Sequence, residues 1–380
     1  MNFFTNNSSW SLVALKDIAT LKRGYDLPIN SRIKGDIPIY AANGRNGTHN
    51  EAKLAGPGVI TGRSGTIGKV HFTESAYWPL NTALYVTNFH GNDPKWVFYM
   101  LKAFKLDRFV QGAGVPTLNR NLVHDELIPL PPLDEQKRIS AILDKADAIR
   151  RKRQQAINLA DDFLRSAFLD MFGDPIANNK KWDVTNLGEL APNKGDMVDG
   201  PFGSSVNTKT DYIEYGEIPV IRTKNVSLAG EFISKDLKFM TRDKYLTIYR
   251  SHVVPGDIVL TKVGTIGNVC IFPEQYKEAV LSTTGSCRIR VDESKINKTY
   301  LFYFLKYYRP KMHEIASAGV QPFLNMKHIK GFQVPMPERE LQNKFDTLVQ
   351  KVATSQKLFN KASKEKLFDS LSQKAFAGDL

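Results

Sequence analysis

The sequence predicts an α+β fold made of two pseudo-symmetric halves, each a mixed domain followed by one long helix. Three observations predict this: motifs recur in the same order in both halves, two long segments show helical periodicity, and β-rich runs are confined to the repeated segments. The economical way to bury the apolar stripes of both helices is to pack them on each other. We therefore expect an antiparallel coiled coil with one globular domain at each end.

The repeat joins residues 10–133 to residues 182–337. Trp10 at the start of the first segment corresponds to Trp182, and we expect each indole to anchor the core of its domain. A Gly-Thr-Ile-Gly motif at 65–68 returns at 264–267, and a Leu-Asn pair at 118–119 returns at 324–325. The spacing between matches grows along the chain, so the copies share a frame and differ in inserted loops, where binding specificity usually resides.

Each repeated segment is predicted to be mixed α and β. The β-rich runs are 58–61, 83–87, 257–261 and 287–291, and the helical patterns are 95–105 and 298–308. The glycine motif is expected to form a β-turn between two strands. A phosphate-binding loop is not expected, because Gly62 to Lys69 is one residue too long, Val70 follows the lysine, and the second copy has Asn268 at the lysine position.

The two long helices are predicted from stripes of apolar residues at steps of three and four. The first stripe is Ile139, Leu143, Ala146, Ile157, Ala160, Leu164, Ala167 and Met171. The second is Leu341, Phe345, Leu348, Val352, Leu358 or Phe359, Ala362, Leu367, Leu371 and Ala375. Each helix would be about 58 Å long. The alternative in which each helix lies on its own domain as an ordinary amphipathic element stays open.

These patterns divide the chain into four parts. The predicted domains are residues 1–133 and 175–337, and the predicted spacer helices are residues 134–174 and 338–380.

Composition predicts a partner of opposite charge. The chain has 380 residues and a formal net charge of +13, which favours a polyanion although it is also compatible with plain solubility. Two cysteines are too few for a disulfide framework, and no Cys/His spacing is typical of zinc. Because no secretory signal and no membrane-length apolar run is present, a cytoplasmic protein is expected.

Catalytic motifs are missing from the sequence. The only Pro-Pro pair, at 131–132, is not the Asn/Asp-Pro-Pro-Phe/Tyr loop of an adenine methyltransferase. No Pro-Asp precedes a Glu-x-Lys as in many metal-dependent nucleases, and neither Gly-x-Ser-x-Gly nor His-Glu-x-x-His occurs. We therefore expect a non-catalytic protein without a metal site.

Basic and polar residues cluster where turns are expected, and such side chains read phosphates and base edges in DNA. The candidate DNA contacts of the first half are Lys22, Arg23, Arg45, Asn46, Arg63, Thr66, Lys69, Asn119 and Arg120. Those of the second half are Ser204, Ser205, Arg222, Lys224, Asn225, Lys262, Thr265, Asn325 and Lys327. For each of them the alternative of an ordinary solvated loop residue stays open.

Three segments resemble the specificity subunits of type I restriction-modification enzymes. They are Leu130–Ile139 (LPPLDEQKRI), Asp170–Pro175 (DMFGDP) and Ser372–Leu380 (SQKAFAGDL). Each motif alone is weak, whereas their combination with the duplication is specific and covers nearly the whole chain. The sequence departs from the pattern at Gly58, where the second copy has Asp257, and at Pro337-Glu338, which lacks the second proline.

The resemblance implies two target recognition domains that read a bipartite, asymmetric DNA site. It also implies two modification subunits, which carry S-adenosylmethionine and methylate adenine, and restriction-translocase subunits. S-adenosylmethionine, ATP and Mg are expected on those partners, and no cofactor is expected in this chain. A stand-alone DNA-binding regulator without a methyltransferase partner is the alternative function.

Overall fold

The computed structural model describes residues 4–111, 114–316, 322–361 and 366–380, with side chains for all of these except 357–361, 366, 367 and 369. The chain divides into two compact units. Unit 1 contains residues up to Ala156 together with Leu358–Leu380, and unit 2 is Ile157–Lys357. Each unit therefore combines one globular segment with parts of both long helical segments.

Unit 1 contains eleven strands in its described residues. They are β1 (Ser11–Ala14), β2 (Thr20–Arg23), β3 (Ile37–Ala41), β4 (Gly44–His49), β5 (Gly58–Gly62), β6 (Val70–Thr73), β7 (Trp78–Pro79), β8 (Ala83–Asn88), β9 (Val110–Gln111), β10 (Thr117–Leu118) and β11 (Leu127–Leu130). The helices of its globular segment are α1 (Leu15–Ile18), α2 (Pro94–Ala103) and α3 (Arg120–His124). The helix α4 (Leu133–Phe172) follows and continues into unit 2.

A four-stranded antiparallel sheet in the order β2-β8-β5-β6 forms the centre of unit 1. A second sheet, β4-β3-β7, contains a parallel pair between β3 and β7. The helix α2 covers the first sheet, and it starts where the sequence dictates: Asp93 caps the amide of Trp96 at 2.8 Å and Pro94 occupies the first turn. Trp96, Val97 and Met100 then point into the core.

Unit 2 contains the remaining strands and helices of its described residues. The strands are β12 (Val184–Asn186), β13 (Met197–Asp199), β14 (Ile218–Ile221), β15 (Lys238–Met240), β16 (His252–Val253), β17 (Ile258–Thr261), β18 (Val269–Ile271), β19 (Ala279–Leu281), β20 (Ser286–Ile289) and β21 (Gln333–Pro335). The helices that begin in unit 2 are α5 (Arg242–Thr247), α6 (Lys298–Ile315), α7 (Met326–Lys330) and α8 (Arg339–Lys361).

The sheets of unit 2 repeat those of unit 1. The order β13-β20-β17-β18 matches the central sheet, and β15-β14-β19-β16 again contains one parallel pair, between β14 and β19. The small pair β1-β11 corresponds to β12-β21. The predicted duplication is therefore visible in topology. The predicted helical patterns 95–105 and 298–308 coincide with α2 and α6, although α6 extends further, to Ile315.

The glycine motif forms the expected turn in both units. It joins β5 to β6 in unit 1 and β17 to β18 in unit 2. Gly65 and Gly264 have φ of +85° and +73°, a left-handed conformation that side chains disfavour, and each lies in open space. The motif connects two strands and precedes no helix, so it is a hairpin turn.

The long helical segments contribute to both cores. In unit 1 the first part of α4 buries Ile139 and Leu143, and the C-terminal helix α9 (Lys366–Ala377) buries Ala375 and Phe376 in the same cluster. In unit 2 the second part of α4 buries Leu164, Phe168 and Phe172, and α8 adds Phe345. The start of α4 thus shares a core with the end of the chain, and its end shares a core with α8, as antiparallel pairing requires. The side chains of Leu358, Phe359 and Leu367 and all of Ala362 lie outside the described residues.

A glutamine fixes the start of each long helix. In unit 1 the side chain of Gln136 donates to the carbonyl oxygen of Pro131 and accepts from the amide of Asp93 at 2.9 Å each. In unit 2 Gln342 donates to Pro337 and accepts from Asn297 at 2.8 Å each. The second helix therefore begins with the same device as the first, although it lacks the second proline.

Candidate nucleic-acid interface

Backbone hydrogen bonds gather several turns of unit 1 into one surface, which we call the first loop face (residues 22–26, 62–69, 81–82 and 114–121). The amide of Arg63 donates to the carbonyl oxygen of Thr82 at 2.9 Å, and its own carbonyl oxygen accepts from Leu118 at 2.8 Å. The side chain of Arg120 reaches back to the carbonyl oxygen of Leu21, next to Lys22. The structure thus brings together predicted contacts that lie about a hundred residues apart in sequence.

The first loop face is rich in cations. Lys22, Arg23 and Arg120 are exposed, and Lys69 is exposed at the base of the glycine hairpin. The guanidinium of Arg63 donates to the carbonyl oxygen of Asn81 at 2.8 Å. Exposed cations on one face provide the charge that phosphates require.

The remaining candidates of the first half have distinct places. Thr66 is half-buried in the hairpin turn, and its carbonyl oxygen lies where a side chain on Gly62 would have to go. Arg45 and Asn46 are exposed on β4, in the neighbouring sheet, and Asn46 accepts a hydrogen bond from Arg32 at 2.8 Å. They lie outside the first loop face as defined above.

In unit 2 the equivalent turns (residues 199–205, 262–268, 282–285 and 322–327), together with the turn that follows β14 (residues 222–225), form a second loop face. The amide of Lys262 donates to Gly285 at 2.7 Å and its carbonyl oxygen accepts from Leu324 at 3.0 Å, the same pattern as at Arg63. Ser204, Ser205 and Thr265 are exposed in this surface. The second loop face therefore uses the frame of the first with different side chains.

Most cations of the second loop face are engaged internally. Nζ of Lys262 lies 3.3 Å from Oδ2 of Asp199, with side chains 5% and 20% exposed. Nζ of Lys224 lies 4.0 Å from Asp236, whose carbonyl oxygen also accepts from Arg222. Lys327 is exposed on α7. This arrangement leaves Lys262 with little exposed surface for a phosphate.

Three candidate asparagines have structural hydrogen bonds. Asn119 caps α3 by accepting from Asn121 at 3.1 Å, and Asn325 caps α7 by accepting from His328 at 2.8 Å, which explains the repeated Leu-Asn pair. Asn225 is fully buried, where it accepts from the amide of Arg222 and donates to the carbonyl oxygen of Ile233. For Asn119 and Asn325, a capping role is compatible with the prediction that they contact DNA. Asn225 is buried and has no surface left for a DNA contact.

Two large exposed side chains of the second loop face escaped the sequence analysis. Phe202 is 65% exposed after β13, and Phe323 is 44% exposed where its backbone pairs with Val263. A sequence signal exists for the first, because Phe202 stands between Pro201 and Gly203 in an otherwise polar turn. Trp10 and Trp182, which the sequence predicts to be core anchors, are only partly buried: Trp10 packs against the unit 1 core, and Nε1 of Trp182 donates to the carbonyl oxygen of Phe172 at 2.9 Å.

Other chemistry is sparse in the part of the chain that the structure describes. Cys270 and Cys287 are buried in the sheet of β17, and burial raises the pKa of both thiols to about 12. No group of three His, Cys, Asp or Glu side chains there could hold a metal ion. Among the described helices, none combines the length and the apolar character that crossing a membrane would need.

Comparison with known families identifies both repeats. The family of type I restriction modification DNA specificity domains matches residues 7–159 and again residues 179–367. The chain belongs to this family. The two matched ranges coincide with the duplication seen in topology, so the predicted resemblance is confirmed.

Relatives in this DNA specificity family are distant in sequence. The chain is 25% identical over 265 residues to the type I restriction enzyme MjaVIII specificity subunit of Methanocaldococcus jannaschii, which covers 66% of this chain and 61% of that protein. It is 26% identical over 347 residues to a specificity subunit described as putative from Mycoplasma pneumoniae, covering 86% and 85%. The match to the M. jannaschii protein thus spans about three fifths of its length.

A solved structure has the same fold. The S subunit of a type I restriction-modification system from M. genitalium superimposes with a TM-score of 0.63 at 17% identity, covering 98% of this chain and 97% of the other. The α+β fold with duplicated domains and long helices, predicted from sequence, is therefore the fold of a type I specificity subunit.

Proposed function

We propose that this chain is the non-catalytic subunit that reads DNA sequence for a type I restriction-modification complex. One observation supports the proposal most strongly: each of the two family-matched copies presents, on the same strand frame, a face of turns with basic and polar side chains. The faces differ in composition at equivalent positions, as Arg23 and Asp199 illustrate. Two different faces on two copies favour an asymmetric, bipartite site over a palindrome.

Recognition through these faces combines two kinds of contact. Exposed cations such as Lys22, Arg23 and Arg120 neutralise phosphates, which adds affinity and makes binding depend on salt. Exposed hydroxyl and aromatic side chains such as Ser204 and Phe202 are suited to base edges and base faces. In each face the hairpin turn, at Gly65 or Gly264, has no neighbouring atom within 4 Å of the place where a side chain would project, which leaves the turn open to a DNA backbone.

The chemistry is expected on partner subunits. The proposed partners are double-stranded DNA, two modification subunits and restriction-translocase subunits, in a cytoplasmic complex. S-adenosylmethionine would be bound by the modification subunits, and ATP and Mg would likewise be bound by partner subunits and not by this chain. This chain would position those subunits on DNA.

Comparison of the host methylome with and without this gene tests the proposal. Deletion is expected to abolish adenine methylation at one gapped, asymmetric motif and to leave other motifs unchanged. An unchanged methylome, or the loss of a continuous motif without a gap, would contradict it. Co-purification from the host is the matched measurement, because a stand-alone regulator would emerge without a methyltransferase.

A further inference from the structure

Hydrogen bonds in the central sheets identify which positions of the two loop faces correspond to each other. The amide of Gly24 donates to Ala83, and the amide of Gly200 donates to Ser286, at 3.1 Å each. Ala83 and Ser286 occupy matching places in β8 and β20. The residue before each glycine is Arg23 in the first face and Asp199 in the second.

The difference between Arg23 and Asp199 reverses the charge beside the cation of the glycine hairpin, which is Arg63 in the first face and Lys262 in the second. Lys262 forms its ion pair with Asp199, whereas at the equivalent place Arg63 donates to a neutral carbonyl oxygen. Within the described residues, neither Arg23 nor Arg63 lies in an ion pair. The first loop face therefore presents two cations where the second presents a neutral, largely buried pair.

Two exposed phenylalanines belong to the same loop face as that neutral pair. Phe202 follows Asp199 by three residues, and Phe323 pairs through its backbone with Val263, the neighbour of Lys262. The position equivalent to Phe323 in unit 1 is Thr117, which pairs with Ser64 in the same way. The second face thus exposes aromatic surface in addition to a neutralised pair, where the first face has Thr117 and two cations.

We propose that Phe202 and Phe323 are specificity-determining residues that place their rings against bases of the half-site read by unit 2. The inference rests on the proposed function. Exposed phenyl rings are unfavourable in water and gain free energy when covered. Base faces and thymine methyl groups are the apolar surface that DNA offers.

The surroundings of the rings favour DNA over an apolar partner. Ser204, Ser205 and Thr265 are exposed in the same face, and Lys327 supplies positive charge in it. A polar, basic border around two rings matches bases flanked by phosphates. Because ring contacts displace few counterions, recognition of this half-site is less salt-dependent than recognition of the half-site read by unit 1.

Binding of the full chain to duplexes that carry single substitutions in either half-site tests the inference. Phe202→Ala and Phe323→Ala are expected to reduce discrimination about tenfold at one or two adjacent positions of the second half-site. The salt dependence of binding should be unchanged. Arg23→Ala should instead lower the slope of log affinity against log salt by about one.

Tyr215→Ala is the matched control. Tyr215 is an aromatic residue of unit 2 that is 88% exposed, and it lies before the start of β14, whereas Arg222 of the second loop face follows the end of that strand. It should leave discrimination unchanged. Phe323→Leu keeps apolar volume but removes the flat ring, and it should relax the same positions if Phe323→Ala does not fold.

Folded phenylalanine variants that keep wild-type preference at every position of the second half-site would overturn the inference. An equal loss of discrimination at both half-sites would also overturn it. The proposed function fails separately, when the wild-type chain itself shows no sequence preference.

Discussion

The amide of Asn7 donates a hydrogen bond to the carbonyl oxygen of Ala377 at 2.9 Å, which joins the first and last described segments of the chain within unit 1. The side chain of Asn7 adds a second bond, to Asp379, also at 2.9 Å. The C-terminal segment is therefore part of the first domain, although it is farthest from it in sequence.

The non-covalent junction between Ala377 and Asn7 has the same local features as the covalent connection between α4 and the second globular segment. Gly378 and Gly173 both have left-handed φ, of +81° and +82°. Nδ2 of Asn6 donates to the carbonyl oxygen of Trp10, and Nδ2 of Asn178 donates to that of Trp182, at 2.8 Å each. The duplication thus extends to the entry of both domains.

Phe376→Ala should strongly destabilise unit 1. The ring of Phe376 is buried, with its centroid 5.3 Å from that of Phe4 and 6.1 Å from that of Trp96. Removing a buried phenyl ring costs about 3–5 kcal/mol. Denaturant unfolding measures the loss, and Leu122→Ala, which truncates an exposed side chain of the same unit, should cost much less. Similar losses in both variants would show that the C-terminal helix does not belong to the core.

Lys262→Met should lower stability by leaving the carboxylate of Asp199 unpaired. A polar group that loses its partner in a mostly buried site costs about 1–3 kcal/mol. The double variant Lys262→Met with Asp199→Asn should recover much of the loss, because no charge remains without a partner. Thermal unfolding of the wild type, the two single variants Lys262→Met and Asp199→Asn, and the double variant gives the coupling. Additive losses would show that the two side chains do not interact.

The sequence predicted the frame better than the roles of individual side chains. Recurring motifs such as Gly-Thr-Ile-Gly are local, so the duplication, the hairpin turn and the long helices could be found without coordinates. Lys262 and Arg63 look alike in sequence because each precedes that motif. What separates them is Asp199, a residue 63 positions away from Lys262 that only strand pairing brings near. Exposure of Phe323 likewise depends on its backbone pairing with Val263, which no local pattern records.

Asn225→Ala should destabilise unit 2 and leave DNA contacts of the folded protein unchanged. Its side chain accepts from Arg222 at 3.0 Å and donates to Ile233 at 2.9 Å in a fully buried site. Leaving those two backbone groups without partners should cost about 1–3 kcal/mol. Thermal unfolding measures it, with the exposed Ser204→Ala as the control. A variant of normal stability but altered DNA discrimination would restore Asn225 as a reading residue.

Stability should fall as the pH is lowered through the ordinary pKa of histidine, and His252 should contribute. Burial first, then the nearby Arg288 and Arg290, lower the pKa of His252 in the folded protein. The unfolded chain therefore binds the proton more tightly, so the stabilisation is present above the unfolded pKa of about 6.5 and is lost as the pH falls below it. His252→Asn should flatten the change of melting temperature between pH 7.5 and 5.5. An unaltered pH profile in this variant would contradict the assignment.

A fragment comprising residues 1–180 should form a dimer. It retains the first globular segment and all of α4 but lacks α9, so the core around Ile139 and Leu143 loses Phe376. It also lacks α8, so Leu164 and Phe168 lose the unit 2 core that buries them. Each exposed apolar surface costs about 25 cal/mol per Å² in water.

The second part of α4 from one copy is the element best suited to replace α9 on the other, because both end with an apolar turn before a left-handed glycine. Two copies related by a two-fold axis satisfy both surfaces at once. Light scattering should show the dimer, and Phe168→Asp, which places a charge on the buried face of α4 beside Leu164, should keep the fragment monomeric. Since such a dimer presents the first loop face twice, with the modification subunit it should direct methylation to a gapped palindrome. A monomeric wild-type fragment, or methylation at a non-palindromic site, would show that α4 does not pair with its counterpart in the way that the antiparallel arrangement requires.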